Sequence, residues 1–143
     1  MAGTGSYRTA SGKSVVTLLH QLGDHAADDL GAELYQEGQG IVTQAQGLTP
    51  VKTGALRGSG YVAEPERVGD TVRVEMGFGG PAAPYALIVH EDLNAFHKVG
   101  EALFMAQPFR WAITGMSQRI ADGLRRRLFG HYEAAMASAM GDA

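Results

Sequence analysis

Apolar side chains recur through residues 14–47 with the spacing of a single helix. Leu19, Leu22, Ala26, Leu30, Leu34, Ile41, Ala45 and Leu48 follow one another at intervals of three, four or seven, which places them on one helical face. Ser14 stands where an N-cap belongs, and Gly47 followed by Pro50 marks the end. A helix this long cannot bury its own apolar stripe, so the rest of the chain must be arranged around it. Gly23, Gly31, Gly38 and Gly40 lie inside it, each costing about 1 kcal/mol relative to alanine. Gly23, Ala27 and Gly31 repeat every four residues and make a face of small residues that admits a second backbone.

The remaining elements are shorter. Residues 49–60 form a connector punctuated by Pro50, Gly54, Gly58 and Gly60. In it, Thr53 is expected to cap a single turn, with Gly54 easing a tight bend and Leu56 pointing into the core. Residues 61–64 and 71–78 read as two strands. In the second, Val72, Val74 and Met76 alternate with Thr71, Arg73 and Glu75. Residues 65–70 supply the turn. Residues 77–84 are a Gly/Pro loop, residues 85–90 an apolar run compatible with helix or strand, and residues 91–105 a long irregular segment. A last helix is expected to open at Gln107 or Pro108 and to run to the mid-130s on Phe109, Ile113, Met116, Ile120, Leu124 and Leu128, with Tyr132 and Met136 extending the stripe. The sum is an α+β fold, a small antiparallel sheet packed by a long N-terminal and a long C-terminal helix. It is expected as one domain over residues 14–137, between a flexible N-terminal arm, 1–13, and a flexible tail, 138–143.

Charge divides the two long helices. Residues 14–48 carry Asp24, Asp28, Asp29, Glu33 and Glu37 and no Lys or Arg, whereas residues 107–130 carry Arg110, Arg119, Arg125, Arg126 and Arg127 against Asp122 alone. Asp29, Glu33 and Glu37 fall four apart in one acidic stripe, which calls for a partner or a solvent-filled space. The net charge of −3 over 143 residues argues against a surface devoted to nucleic acid. The chain has no cysteine, which removes disulfides and thiolate metal sites. No apolar run is long enough to span a membrane, and residues 1–13 lack the apolar core of a secretory signal. His90, Glu91 and His97 form a local histidine–carboxylate group, and their spacing is not that of a zinc protease helix. No nucleophile elbow or phosphate-binding glycine motif occurs. The expectation is a protein without catalytic residues, cofactor or metal.

The segment Thr49-Pro50-Val51-Lys52-Thr53-Gly54-Ala55-Leu56-Arg57-Gly58-Ser59 resembles the Pro-Val-x-Thr-Gly-x-Leu-x-x-Ser stretch of a tailed-phage neck family, the tail-completion or head–tail joining proteins of long-tailed phages. The order of the surrounding landmarks agrees with that family. A helix precedes the motif and a strand pair follows it. Tyr85-Ala86-Leu87-Ile88-Val89-His90-Glu91 matches a Tyr-Ala-x-x-Val-x-Glu-like run, and Pro108-Phe109 matches the Pro-Phe that opens a final helix. The motif residues are Pro50, Val51, Thr53, Gly54, Leu56, Ser59, Tyr85, Ala86, Glu91, Pro108 and Phe109. In the family a Glu-x-Gly closes the tyrosine run; here His90-Glu91-Asp92 leads into a longer insertion.

The resemblance implies a non-catalytic virion subunit, assembled in the host cytoplasm. It would form a homo-oligomeric ring at the neck that completes the tail and joins it to the DNA-filled head. Its neighbours would be a head-side connector and a tail terminator or tail tube, with double-stranded DNA passing through the channel without sequence-specific binding. A tail terminator or head-completion stopper occupies the same joint and is the nearest alternative. A small DNA-binding protein using Arg125, Arg126 and Arg127 is an alternative of another class, and a hydrolase using His90, Glu91 and His97 a third. Within the ring reading, Phe78, Phe96 and Phe104 are expected at subunit contacts, because they are large apolar groups in stretches without regular structure. Asp29, Glu33 and Glu37 are expected to meet Arg119, Arg125, Arg126 and Arg127 of an adjacent subunit, or else to line the channel.

Overall fold

A computed structural model describes residues 15–50, 54–81, 83–91 and 103–141. The fold is α+β: two long helices pack small antiparallel two-stranded sheets. Helix α1 spans Val15–Leu48, within a residue of the expected limits. A single turn, α2, follows at Ala55–Gly58. Four short strands come next, β1 Tyr61–Val62, β2 Glu66–Val68, β3 Thr71–Arg73 and β4 Met76–Gly77. The chain finishes with α3 Ala86–Glu91, α4 Ala106–Ile113 and α5 Met116–Gly141.

The strands form one interrupted hairpin. β1 pairs with β4 through Tyr61 opposite Gly77 and Val62 opposite Met76. β2 pairs with β3 through Glu66 opposite Arg73, Arg67 opposite Val72 and Val68 opposite Thr71. Between the two ladders, residues 63–65 face residues 74–75, so the register slips by one residue in the manner of a bulge. Pro65, which has no N–H to give a ladder, sits in that slip. The turn is therefore tighter than residues 65–70. Only Gly69, at φ 60°, and Asp70 separate β2 from β3, the two-residue loop that suits strand twist. Across the inner ladder, Arg73 donates to Glu66 at 2.7 Å.

Two glycines of α1 let this hairpin lie against the helix. A Cβ at Gly31 would stand 2.8 Å from Pro65 Cβ, and one at Gly38 would stand 3.1 Å from Val62 Cγ1. The close-approach face is thus Gly31 and Gly38, two helical turns apart. Gly23 meets nothing within 4 Å, so the expected Gly23–Ala27–Gly31 face serves this role only at its last member.

The C-terminal helix is two helices. Thr114 is extended and Gly115 is left-handed at φ 75°, which stops α4 and starts α5 in a new direction. The apolar spacing runs across this break, so Phe109 and Ile113 are exposed instead of completing a core stripe. α4 starts at Ala106, which places Pro108 third in the helix. A proline is tolerated there because none of the first four N–H groups has an intrahelical partner. α5 continues to Gly141, past the expected end. The N-terminal arm lies outside the described residues.

The core gathers at the C-terminal end of α1. Ile41, Val42 and Ala45 are buried there, and Leu56, Ala83, Ala86 and Phe104 form a cluster backed by Leu48, Phe78, Val89 and Met105. Gly31→Val should lower the urea midpoint of unfolding, by the ~1–3 kcal/mol that overpacking costs. Gly23→Ala, in open space, should raise stability by ~0.5–1 kcal/mol. Equal effects of the two substitutions would contradict this placement of the hairpin.

Candidate functional site

Two features stand out: the turn that carries the sequence motif and the charged seam between α1 and α5. Gly54 precedes α2 with φ 79°, a conformation that favours glycine. The Gly58 N–H returns to the Gly54 carbonyl at 2.9 Å and closes the turn. Leu56 is 4% exposed and enters the cluster with Phe104. The Ser59 hydroxyl donates to the Leu56 carbonyl at 2.7 Å and accepts from the Gly79 N–H at 3.0 Å. One side chain thereby ties α2 to the segment leaving β4.

Arg57 and Gln46 lock the same turn to α1. Arg57 Nη2 donates to the Thr49 carbonyl at 3.3 Å, and Gln46 Nε2 donates to the Arg57 carbonyl at 3.2 Å. Thr49 is fully buried and its hydroxyl returns to the Ala45 carbonyl at 2.7 Å. Of the other motif residues, Ala86 is buried in the cluster, Pro108 is buried in α4, and Tyr85 and Phe109 are exposed. The Glu91 carboxylate lies 2.8 Å from His90 Nδ1. Val51 and Thr53, the expected capping residue, lie outside the described residues.

The seam accounts for the acidic stripe. Arg127 Nε donates to Glu33 at 2.7 Å. Arg119 grips Glu37 through two nitrogens, Nε at 2.8 Å and Nη2 at 2.6 Å. His131 Nε2 lies 3.1 Å from Asp29, and its ring stacks on His25 with centroids 5.1 Å apart. Asp29 and Glu33 are each 8% exposed, so these carboxylates are drawn out of water and require the partners they have. Hydrogen bonds to Glu37 push the Arg119 pKa above its ordinary value. Arg119 also donates to the Ala112 and Thr114 carbonyls at 2.7 and 3.0 Å. It thus satisfies the C-terminus of α4 while holding α1.

Glu37 and Glu33 thus meet Arg119 and Arg127 of their own chain, where arginines of an adjacent subunit or the channel were expected. An antiparallel α1–α5 pair brings residues about a hundred positions apart into contact, which spacing along either helix does not reveal. The three consecutive arginines also part company. Arg127 goes to Glu33 and Arg125 to Asp122 on its own helix at 2.8 Å. Arg126 alone has no ion pair among the described residues.

The phenylalanines divide as well. Phe104 is 1% exposed and packs edge-on against Phe78 and His90 at centroid distances of 5.2 and 5.0 Å. A surface contact is therefore the wrong place for Phe104; it fills the core that Leu56 opens. Phe78 is half-buried beside it, and Phe96 and His97 lie outside the described residues. The large exposed side chains are elsewhere. Trp111 and Ile113 of α4 are 58% exposed, Phe129 and Tyr132 of α5 are 62% exposed, and none of the four was among the expected contact residues. Ile113 and Tyr132 belong to the apolar stripe that the Gly115 break keeps from forming one core face, whereas Trp111 and Phe129 lie off that stripe and no periodic signal marked them.

Among the described residues no three His, Asp or Glu side chains come together as metal ligands, and no helix is long and apolar enough to cross a membrane. No family model matches the chain, and comparison with curated proteins and with solved structures finds no significant match. Leu56→Ala should destabilise the protein by ~2–5 kcal/mol, the range for a buried leucine whose site cannot fully collapse. Chemical denaturation measures it, and a variant as stable as the parent would contradict the role given to the motif turn.

Proposed function

We propose that this chain is a structural subunit of a phage neck. In this reading it assembles with copies of itself into a ring that completes the tail and helps join it to the DNA-filled head. The observation that carries the reading is the Pro50–Ser59 signature in its setting: a long helix before it, a hairpin after it, then the Tyr85 run and the Pro108-Phe109 helix, in the order of the family that the sequence resembles. The use made of the signature residues supports it. Gly54, Leu56 and Ser59 each make a contact that fixes how α1, the hairpin and the core meet, which is what a structural signature is for.

The exposed aromatic residues of α4 and α5 support the same reading from a second direction. Large apolar side chains held in water on rigid helices are characteristic of surfaces that another protein covers. The function asks for no proton transfer, metal or cofactor. DNA is expected to pass through the ring without sequence-specific contact, and the head-side connector and the tail terminator or tail tube are the expected neighbours.

The test is electron microscopy of particles made without this protein. Filled heads and complete tails should accumulate side by side, unjoined, and supplying the protein in trans should restore joined virions. Normal joined particles in its absence would overturn the proposal.

A further inference from the structure

α1 and α5 each turn a second face away from their shared seam. On α5 the seam residues are Arg119, Gly123, Arg127 and His131. Arg125 and Phe129 lie two residues out of step with them, about 200° around the helix at 100° per residue. Phe129 and Tyr132 on this outer side are each 62% exposed, with Leu128 beside them. On α1 the seam is Asp29, Glu33 and Glu37, and Ala27, Gly31 and Tyr35 are likewise two residues out of step. They floor a groove of about 430 Å³ closed on its other side by the hairpin, with Asp28 and Glu64 at its rim.

The outer faces are complementary. The groove offers small side chains, Tyr35 and four charged groups: Arg67 and Glu66 are taken up by Asp24 and Arg73, which leaves the carboxylates of Asp28 and Glu64 with no ion pair among the described residues. The α5 face offers projecting aromatic rings and Arg126, which has no ion pair among the described residues, with the exposed Glu133 two turns further along the helix. The two faces also look away from each other across the α1–α5 pair, so one molecule cannot bring its own face into its own groove. A second copy can.

We infer that the outer face of α5, through Phe129 and Tyr132 flanked by Arg126, docks into the α1–hairpin groove of the next copy of this chain. The contact is heterologous: each subunit gives a face and receives one. Repetition of such a contact closes into a ring when the rotation permits. The aromatic rings supply the buried area, and the Arg126–carboxylate pairing sets orientation and partner choice more than affinity. The inference rests on the reading of this chain as a self-assembling subunit and names the surfaces that join.

The experiment is sedimentation of the full chain and of two blocked forms. Phe129→Asp blocks the face, with Tyr132→Asp as an independent second version. The pair Asp28→Lys and Glu64→Lys blocks the groove. All four positions are exposed, and circular dichroism checks that each form keeps its helices. The parent chain should sediment as an oligomer, and each blocked form as a monomer at the same concentration. An equal mixture of a face-blocked and a groove-blocked form should give a dimer and nothing larger, because one intact face then meets one intact groove. Assembly of either blocked form like the parent, no dimer in the mixture, or a parent chain that stays monomeric would each overturn the inference. The neck reading is judged apart from it, by the joining of heads and tails in the particles.

Discussion

The Glu33 carboxylate is the point on which the helical layer depends. It is 8% exposed and lies in the α1–α5 seam, bonded to Arg127 at 2.7 Å. A buried charge without a partner costs several kcal/mol, so the position of Arg127 is not free. Gly123, one turn before Arg127, is buried directly against the same carboxylate, and a Cβ there would overlap it. The guanidinium and the missing side chain together set how far α5 slides along α1 and how close it comes. Asp29 with His131 and Glu37 with Arg119 repeat the logic on either side. The outermost of these, Arg119, carries the constraint across the Gly115 break by holding the carbonyl end of α4.

The other end of α1 is held by different physics. There Ile41, Val42 and Ala45 are buried, and Leu56 and Phe104 fill the adjoining cluster, so apolar area supplies the stabilisation. Among the described residues of α5 only Gly123 is buried. α5 therefore contributes little to an apolar core and turns its large side chains outward. A chain built in this way is firm at the motif turn and keyed by charge along the seam, and Phe129 and Tyr132 of α5 stand in solvent.

Much of this was legible in the sequence and some was not. The limits of α1 followed from its periodicity and its Gly47–Pro50 ending, and the burial of Leu56 from its place in the turn after Gly54; that turn opens at Gly54 itself, without a side-chain cap. The opposite charges of the two long helices were plain, but their pairing was hidden, because it depends on an antiparallel register that neither helix encodes alone. Gly115 falls inside the expected Phe109–Leu128 stripe, and its left-handed φ is what divides α4 from α5. Pro65 looked like turn chemistry, whereas the hairpin absorbs it by slipping one residue. Phe104 sits in a stretch without periodicity, so nothing local distinguished a core residue from a surface one.

The claim that a buried carboxylate facing a glycine sets the seam is tested most directly by a double-mutant cycle between Glu33 and Gly123. Stability is measured by urea unfolding of the parent, Glu33→Ala, Gly123→Ala and the double variant. With Glu33 present, Gly123→Ala should cost ~1–3 kcal/mol, because the methyl group displaces the carboxylate from Arg127. With Glu33→Ala, the same substitution should be neutral or stabilising by up to ~1 kcal/mol, because only the helix propensity of alanine remains. A change of sign between the two backgrounds is the predicted coupling. The same cost for Gly123→Ala in both would contradict the account.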